Sequence, residues 1–390
     1  MQIAITGIGL TSGLGDGALA HASQIDAGEA RLSPLSDLLG QESEFANLHA
    51  SWITPREVLV SRKWAPASVL SLHVARQAVQ EAGLTKDELR NTAVIVGSSR
   101  GNLGGFISPW PERRAIDLMA ASNSMHGELA SIVSIELGAR GPWQVIASGC
   151  AASLDAIGIA RMMLLQGMVK RAIVIGVELP LLPEVLGCYR NTGVLSTTGV
   201  NDPYSPETSG FFPGEAGAAM VLESFSDAAP PSAVQLTGYW CNSDADSPIG
   251  MPADGAGVRE CLQGAVEDLK NEPGIRAVCP HASGTLLHSK AELSALTSAL
   301  PADQEISLHP LKPYTGHTVG ASGVLDCAIL THYMRQRKLP NNLSGMTVPE
   351  GGRFTLDNPE LPADGATVLK IAVGMGGHNS IVSLRSPSHH

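Results

Sequence analysis

Trp143-Gln144-Val145-Ile146-Ala147-Ser148-Gly149-Cys150-Ala151-Ala152-Ser153-Leu154 changes character halfway along its length. Its first five residues, centred on Val145 and Ile146, suit a buried strand, and Ser148-Gly149 makes a tight turn. From Cys150 onward Leu154, Ile157, Met162 and Leu165 surround most of a helical wheel, which marks a helix enclosed on nearly all sides. Strand, tight turn and buried helix in twelve residues is an α/β signature.

The same alternation continues in both directions. Short apolar runs with β-branched residues fall at 3–8, 93–96, 143–147, 172–177, 218–222 and 368–373, as expected of strands covered on both faces. Helical stretches are expected over 65–82, 151–167, 258–269, 290–300 and 321–337. Asp227-Ala228-Ala229-Pro230-Pro231-Ser232 reads as a connection between an N-terminal part, 1–228, and a C-terminal part, 229–390.

Composition narrows the function classes. The chain has 390 residues, 44% of them hydrophobic, enough for a large core. Its 26 Lys and Arg against 37 Asp and Glu give a formal charge of -11, which opposes general affinity for nucleic acid or anionic lipid. The N-terminus lacks the basic and long apolar stretches of a signal peptide, and no apolar run reaches spanning length, so a cytoplasmic location is expected, with no membrane partner. Cysteines 150, 188, 241, 261, 279 and 327 are scattered, without a CxxC pair, and read as reduced thiols. His389 and His390 end the chain after Ser-Pro-Ser, as a native end or a trimmed tag would.

Three segments carry the chemistry. A thiol at the start of a buried helix lies at the positive end of its dipole, which is expected to lower the Cys150 pKa. Small neighbours Gly149, Ala151 and Ala152 leave room for a substrate. His281-Ala282-Ser283-Gly284-Thr285 follows a strand at 277–279, and Lys312-Pro313-Tyr314-Thr315-Gly316-His317 precedes a glycine-rich helix start. Acyl chemistry on a thiol needs such imidazoles. The turn Gly374-Met375-Gly376-Gly377-His378-Asn379 offers backbone amides for an oxyanion.

Competing motifs are weaker. Gly97-Ser98-Ser99-Arg100-Gly101 matches the serine-hydrolase elbow formally, but the residues after it have little helical character. In Gly7-Ile8-Gly9-Leu10-Thr11-Ser12-Gly13 the third glycine is one place late for a dinucleotide turn. Cys279 and His281 lack the companions of a zinc site, and no metal is expected.

In this order and spacing the motifs resemble the β-ketoacyl synthases, the condensing enzymes of fatty-acid and polyketide assembly. The resemblance runs from Ile5-Thr6-Gly7-Ile8-Gly9 through the cysteine elbow, Gly214-Glu215-Ala216-Gly217 and both histidine motifs to Gly376-Gly377-x-Asn379. It implies a thiolase-like fold of two pseudo-duplicated halves in an αβαβα layering. It also implies that Cys150 takes an acyl group from a carrier-protein thioester, while His281 and His317 assist decarboxylation of a malonyl-thioester. The amides of Cys150 and Met375 would hold the oxyanion, and Lys312 would organise the histidines with Asp326 nearby. Ser283, Thr285, Gly376 and Asn379 would support the site. No cofactor is implied. Partners would be acyl- and malonyl-loaded acyl carrier protein, docking at Arg62 and Lys63 with Arg56 close by, and a second synthase-like chain in a homodimer or heterodimer paired around 140–147. A non-catalytic chain-length partner subunit is the alternative reading.

The sequence departs from the family at Ala282, Ser283 and Ser289, at Thr208-Ser209, at Pro313, and at Met375, where many members carry a gating Phe. These departures point to a branch of specialised metabolism.

Overall fold

The computed structural model describes residues 1–107, 125–302, 304–350, 353–358 and 360–388. His389 and His390 lie outside them. The principal strands are β1 Gln2–Ser12, β2 Thr92–Gly97, β3 Trp143–Ile146, β4 Arg171–Glu178 and β5 Ala216–Phe225, then β6 Val234–Ser243, β7 Ile275–Cys279, β8 Ile306–Leu308, β9 Phe354–Thr355, β10 Thr367–Gly374 and β11 His378–Arg385; β1 to β5, β7 and β10 lie on the expected runs, and β6, β8 and β9 are additional. The principal helices are α1 Pro66–Ala82, α2 Gly127–Leu137, α3 Ala152–Leu165, α4 Ala256–Asp268, α5 Leu286–Ala299 and α6 Ser322–Met334.

One hydrogen-bonded path runs β9-β8-β7-β10-β11-β6-β1-β5-β4-β2-β3. Within it the same motif occurs twice. In the N-terminal part the first strand pairs antiparallel with the last, β5, which pairs antiparallel with β4, and β2 and β3 then add in parallel. In the C-terminal part β6, β11, β10, β7 and β8 repeat that order and those directions. In both parts the third strand leads to a loop, one 3-10 turn (Gly149–Ala151 or Val319–Ala321) and a helix packed between the layers, α3 or α6; α3 is buried over its first half, while Met162 and Leu165, expected inside, are exposed at its C-terminal end.

Strand periodicity sorts the layers. Ile95 and Val174 face a cluster shared with α3 and α6, while Val94, Val96, Ile173 and Ile175 pack with α1 and α2. In the second part Val368 and Ala372 face α3 and α6, and Leu369, Ile371 and Val373 pack with α4 and α5. The order is therefore outer helices, strands, α3 with α6, strands, outer helices, an αβαβα layering. Every residue of α6 except His332 is buried, as a helix between two sheet layers requires.

The central helices meet at their N-termini. A Cβ on Gly323 would lie 2.4 Å from the Leu154 nitrogen, so glycine there lets the two backbones touch. Ser153 Oγ accepts the Val324 N–H at 3.1 Å, satisfying one first-turn donor of α6. This contact brings the loops carrying Cys150 and His317 face to face.

Gly7 and Gly9 lie inside β1, where a Cβ would meet the carbonyl oxygens of Ala78 and Val74. They serve strand-to-helix packing. After Gly97–Gly101 a short helix, Leu103–Ile107, does form, contrary to expectation. Ser99 Oγ there accepts from Arg100. No helix among the described residues is long and apolar enough to cross a membrane.

Candidate active site

Cys150 leaves the sheet one turn before α3, in the 3-10 turn Gly149–Ala151, and Gly149 makes the bend possible with φ +62°. The residue is 7% exposed. Burial pushes the thiol up to about 11, against the nearby charges of Lys312 and Arg100 and the N–H of Met375. This reverses the expected lowering: a helix terminus offers a fraction of a charge, and the loss of water around the whole sulfur outweighs it. The thiol therefore needs a base, and His317 Nε2 lies 3.2 Å from Sγ.

His317 is oriented from its other side. Ser322 Oγ lies 3.4 Å from Nδ1 and donates its own proton to Val319 O at 2.9 Å, so its lone pair faces the ring. That network assigns the proton to Nδ1 and leaves Nε2 free to accept the thiol proton. The ring edge packs against Phe211 at 4.9 Å between centroids.

His281 follows β7 through Pro280. Its Nδ1 accepts the Val373 N–H at 3.2 Å, so the neutral ring carries its proton on Nε2. The turn is held by Glu292 of α5, which accepts the His281 and Ala282 amides at 2.6 and 2.8 Å while Ala282 sits at φ +42°. The His281 and His317 rings stand 5.2 Å apart and nearly perpendicular, at 88°. Burial first, and the Lys312 ammonium second, hold both imidazoles well below their usual pKa, so both are neutral at physiological pH.

Cys150, His281, His317, Ser283, Thr285 and Met375 all line one cavity of about 240 Å³. Gly374 brings the Met375 amide beside the nucleophile: a Cβ there would lie 2.8 Å from Ser148 O and 3.5 Å from the Cys150 nitrogen. Gly376, at φ +94°, has open space beyond it. Asn379 is set back from the cavity and ties β11 to β6 through Asn242 at 3.0 Å and Asp244 at 2.7 Å. Lys312 donates to His281 O. Asp326 forms its ion pair with Lys370, at 2.5 Å, rather than with Lys312.

At the surface, Lys63 is paired with Glu136 at 3.2 Å and lies over Trp64, and Arg62 beside it is exposed. Arg56 is bound to the buried carboxylate of Glu215 and keeps 42% of its side chain exposed.

Sequence reasoning missed four residues. His288 of α5 stacks edge-on against His281 at 4.7 Å and lies 3.3 Å from Glu292. The i,i+4 spacing of His288 and Glu292 after the His281 turn was a usable signal. Glu178 ends β4 and accepts amides of Ser99, Arg100 and Gly320, pinning the loop before α6. Lys370, the fourth, lay hidden inside an apolar strand run.

Two family models match the chain: the β-ketoacyl synthase N-terminal domain over residues 1–228 and the β-ketoacyl synthase C-terminal domain over residues 233–346. The chain is 23% identical to the tetracenomycin polyketide synthase ketoacyl synthase alpha subunit of Streptomyces glaucescens, over 99% of this chain and 97% of that one. It is 24% identical to the chloroplastic 3-oxoacyl-[acyl-carrier-protein] synthase I of Arabidopsis thaliana, over 98% and 86%. Among solved structures, the ketosynthase from module 6 of the bacillaene synthase of Bacillus subtilis superposes with a TM-score of 0.85 at 18% identity, over 99% of this chain and 72% of that one. A type II polyketide ketosynthase solved with its acyl carrier protein and bound to the hexaketide gives 0.80 at 23%, over 99% of both. At these identities the superpositions establish the fold.

Proposed function

The chain belongs to the β-ketoacyl synthase family, and on that premise we propose that it loads an acyl group on Cys150 and condenses it with a malonyl unit. One observation carries the reading: a buried thiol 3.2 Å from an imidazole nitrogen, with a second neutral imidazole across the same cavity.

In the first half-reaction His317 takes the thiol proton as Sγ attacks a thioester carbonyl. The amides of Cys150 and Met375 stabilise the oxyanion, and the proton passes to the departing thiolate. In the second, the malonyl C–C bond breaks, CO2 leaves, and His281 Nε2–H stabilises the enolate oxygen with His317 flanking it. The carbanion attacks the acyl carbonyl, forming a C–C bond and breaking the C–S bond, and Cys150 leaves as thiolate and takes a proton from solvent. Ser283 and Thr285 line the approach. Met375 gates the cavity with a flexible thioether in place of an aromatic ring.

The acyl and malonyl groups arrive on acyl carrier protein, which docks at Arg62 and Lys63. The chain works as two halves, 1–228 and 229–390, and pairs with a second synthase-like chain through β3. That strand is the last on the sheet path, its Trp143 is 41% exposed, and α2 and α3 beside it expose Ile135, Met162 and Leu165. A non-catalytic partner subunit is disfavoured because all three reacting side chains are present and in register.

Assay of 3-oxoacyl product and CO2 from acyl- and malonyl-loaded carrier protein tests the reading. His281→Ala is expected to abolish CO2 release while leaving Cys150 acylation. Loss of acylation with CO2 release intact would reverse the assignment.

A further inference from the structure

Lys370 sits mid-strand in β10 with no exposed surface. It shares a strand face with Val368 and Ala372, pointing into the apolar layer around α3 and α6. An ammonium in that position is costly unless something demands it. Its contacts are specific: Asp326 Oδ2 of α6 at 2.5 Å, Pro280 O at 3.2 Å and Cys279 Sγ at 3.6 Å.

Lys312, from a different element, donates to His281 O. Two buried ammonium groups thus hold consecutive carbonyls, Pro280 and His281, directly behind an imidazole of the site. The nearer carboxylate is committed to one of them.

We propose that Lys370 is a positioning residue of the condensing site: by engaging Asp326 it leaves Lys312 with the His281 carbonyl as its partner, so that the Lys312 charge lies behind the imidazole without a carboxylate bound to it. The groups facing Lys312 are Lys370 from β10, Asp326 from α6, Cys279 from β7, Glu292 from α5, and the two site histidines. Burial, and next the Lys370 charge, bring the Lys312 ammonium down to about 8. Lys370 is held above the usual lysine range, because Asp326 and Cys279 overcome its own burial. Protonated Lys312 places a positive charge behind His281, where it favours the anion developing on the enolate, so its loss of a proton weakens that stabilisation while both imidazoles stay neutral.

The consequence for turnover rests on the reading given under Proposed function; the consequence for Lys312 does not. The test is titration of the 13Cε-lysine resonances of the intact protein, with Lys312 assigned by its loss in Lys312→Met. In the native chain the Lys312 midpoint is expected near 8. In Lys370→Gln, which removes the charge and keeps a hydrogen-bond donor, it should climb by more than one pH unit toward the ordinary lysine value of about 10.4. In Lys370→Arg, which keeps the charge, it should stay in place. A native midpoint at the ordinary value, or a midpoint unmoved in Lys370→Gln, overturns the proposal; the first of these needs no variant to fold. The alkaline limb of malonyl-thioester decarboxylation should follow the same shifts, which a merely structural ion pair would not produce. A chain that decarboxylates nothing, yet shows these midpoints, would overturn the synthase reading and leave the charge arrangement standing.

Discussion

Cys150 Sγ and His317 Nε2, 167 positions apart in the chain, lie 3.2 Å from each other because the fold repeats itself. Each is carried by the loop that follows the third strand of its half, and each loop runs into one of the two central helices. Where Gly323 and Ser153 let those helices touch, the loops must meet.

Because burial holds the thiol near 11, acyl transfer depends on His317 rather than on a standing thiolate. His317→Ala is expected to slow Cys150 acylation by about 10²–10⁴-fold at neutral pH, the range for removing a general base. Single-turnover acylation monitored by mass measures it; a loss under threefold would mean that the thiol is ionised without help.

Four of the buried histidines make the fold sensitive to acid. His21 and His309 are each pulled down to about 4 by burial, and His281 and His317 well below the usual value. Between about pH 6.5 and 4 the unfolded chain binds protons that the folded chain refuses, so stability falls as pH falls through that window. For His21 and His309 the loss approaches about 3 kcal/mol each at its lower end. Glu178, raised by burial to about 7, acts in the opposite sense, as does Glu215. Melting temperature should nevertheless drop between pH 6.5 and 4.5, and less steeply in His309→Gln; a level or rising profile contradicts the assignment of four neutral rings.

Backbone at two positions near the site tolerates little. A methyl group on Gly374 would press on Ser148 O and displace the Met375 amide, so Gly374→Ala should lower kcat roughly 10–100-fold with little change in KM, as loss of an oxyanion donor does. Ala282 at φ +42° is the converse case. Glycine removes a left-handed penalty of about 1–2 kcal/mol and adds about 0.5–1 kcal/mol of unfolded-state freedom. Ala282→Gly should therefore be neutral to about 1.5 kcal/mol more stable, and a clear destabilisation in denaturant titration would count against the strained turn.

Charge reversal at Arg62 and Lys63 should weaken turnover of carrier-bound substrate more than turnover of a small thioester. Equal losses would place docking elsewhere. Arg56→Glu is expected to act through stability, since it strips Glu215 of its counter-ion.

How much of this was legible beforehand follows the range of each interaction. The strand-turn-helix at Cys150 and the two histidine segments are local, and their residue types announce themselves. The nucleophile's protonation was misread because a helix terminus is visible in sequence while the burial that outweighs it is assembled from distant elements. Asp326 was expected beside Lys312; its ion pair with Lys370 stayed hidden because a single lysine within an apolar strand gives no sign of the carboxylate facing it across the layer. The short helix Leu103–Ile107 formed despite two glycines, held by its setting rather than by propensity.

The measurement that bears most directly on the central claim is the intact mass of the native chain and of Cys150→Ala after exposure to acyl-loaded carrier protein. A gain equal to the acyl group on the native chain alone is the expected result. Equal gain on both chains, or none on either across a panel of acyl groups, would contradict Cys150 as the acyl carrier.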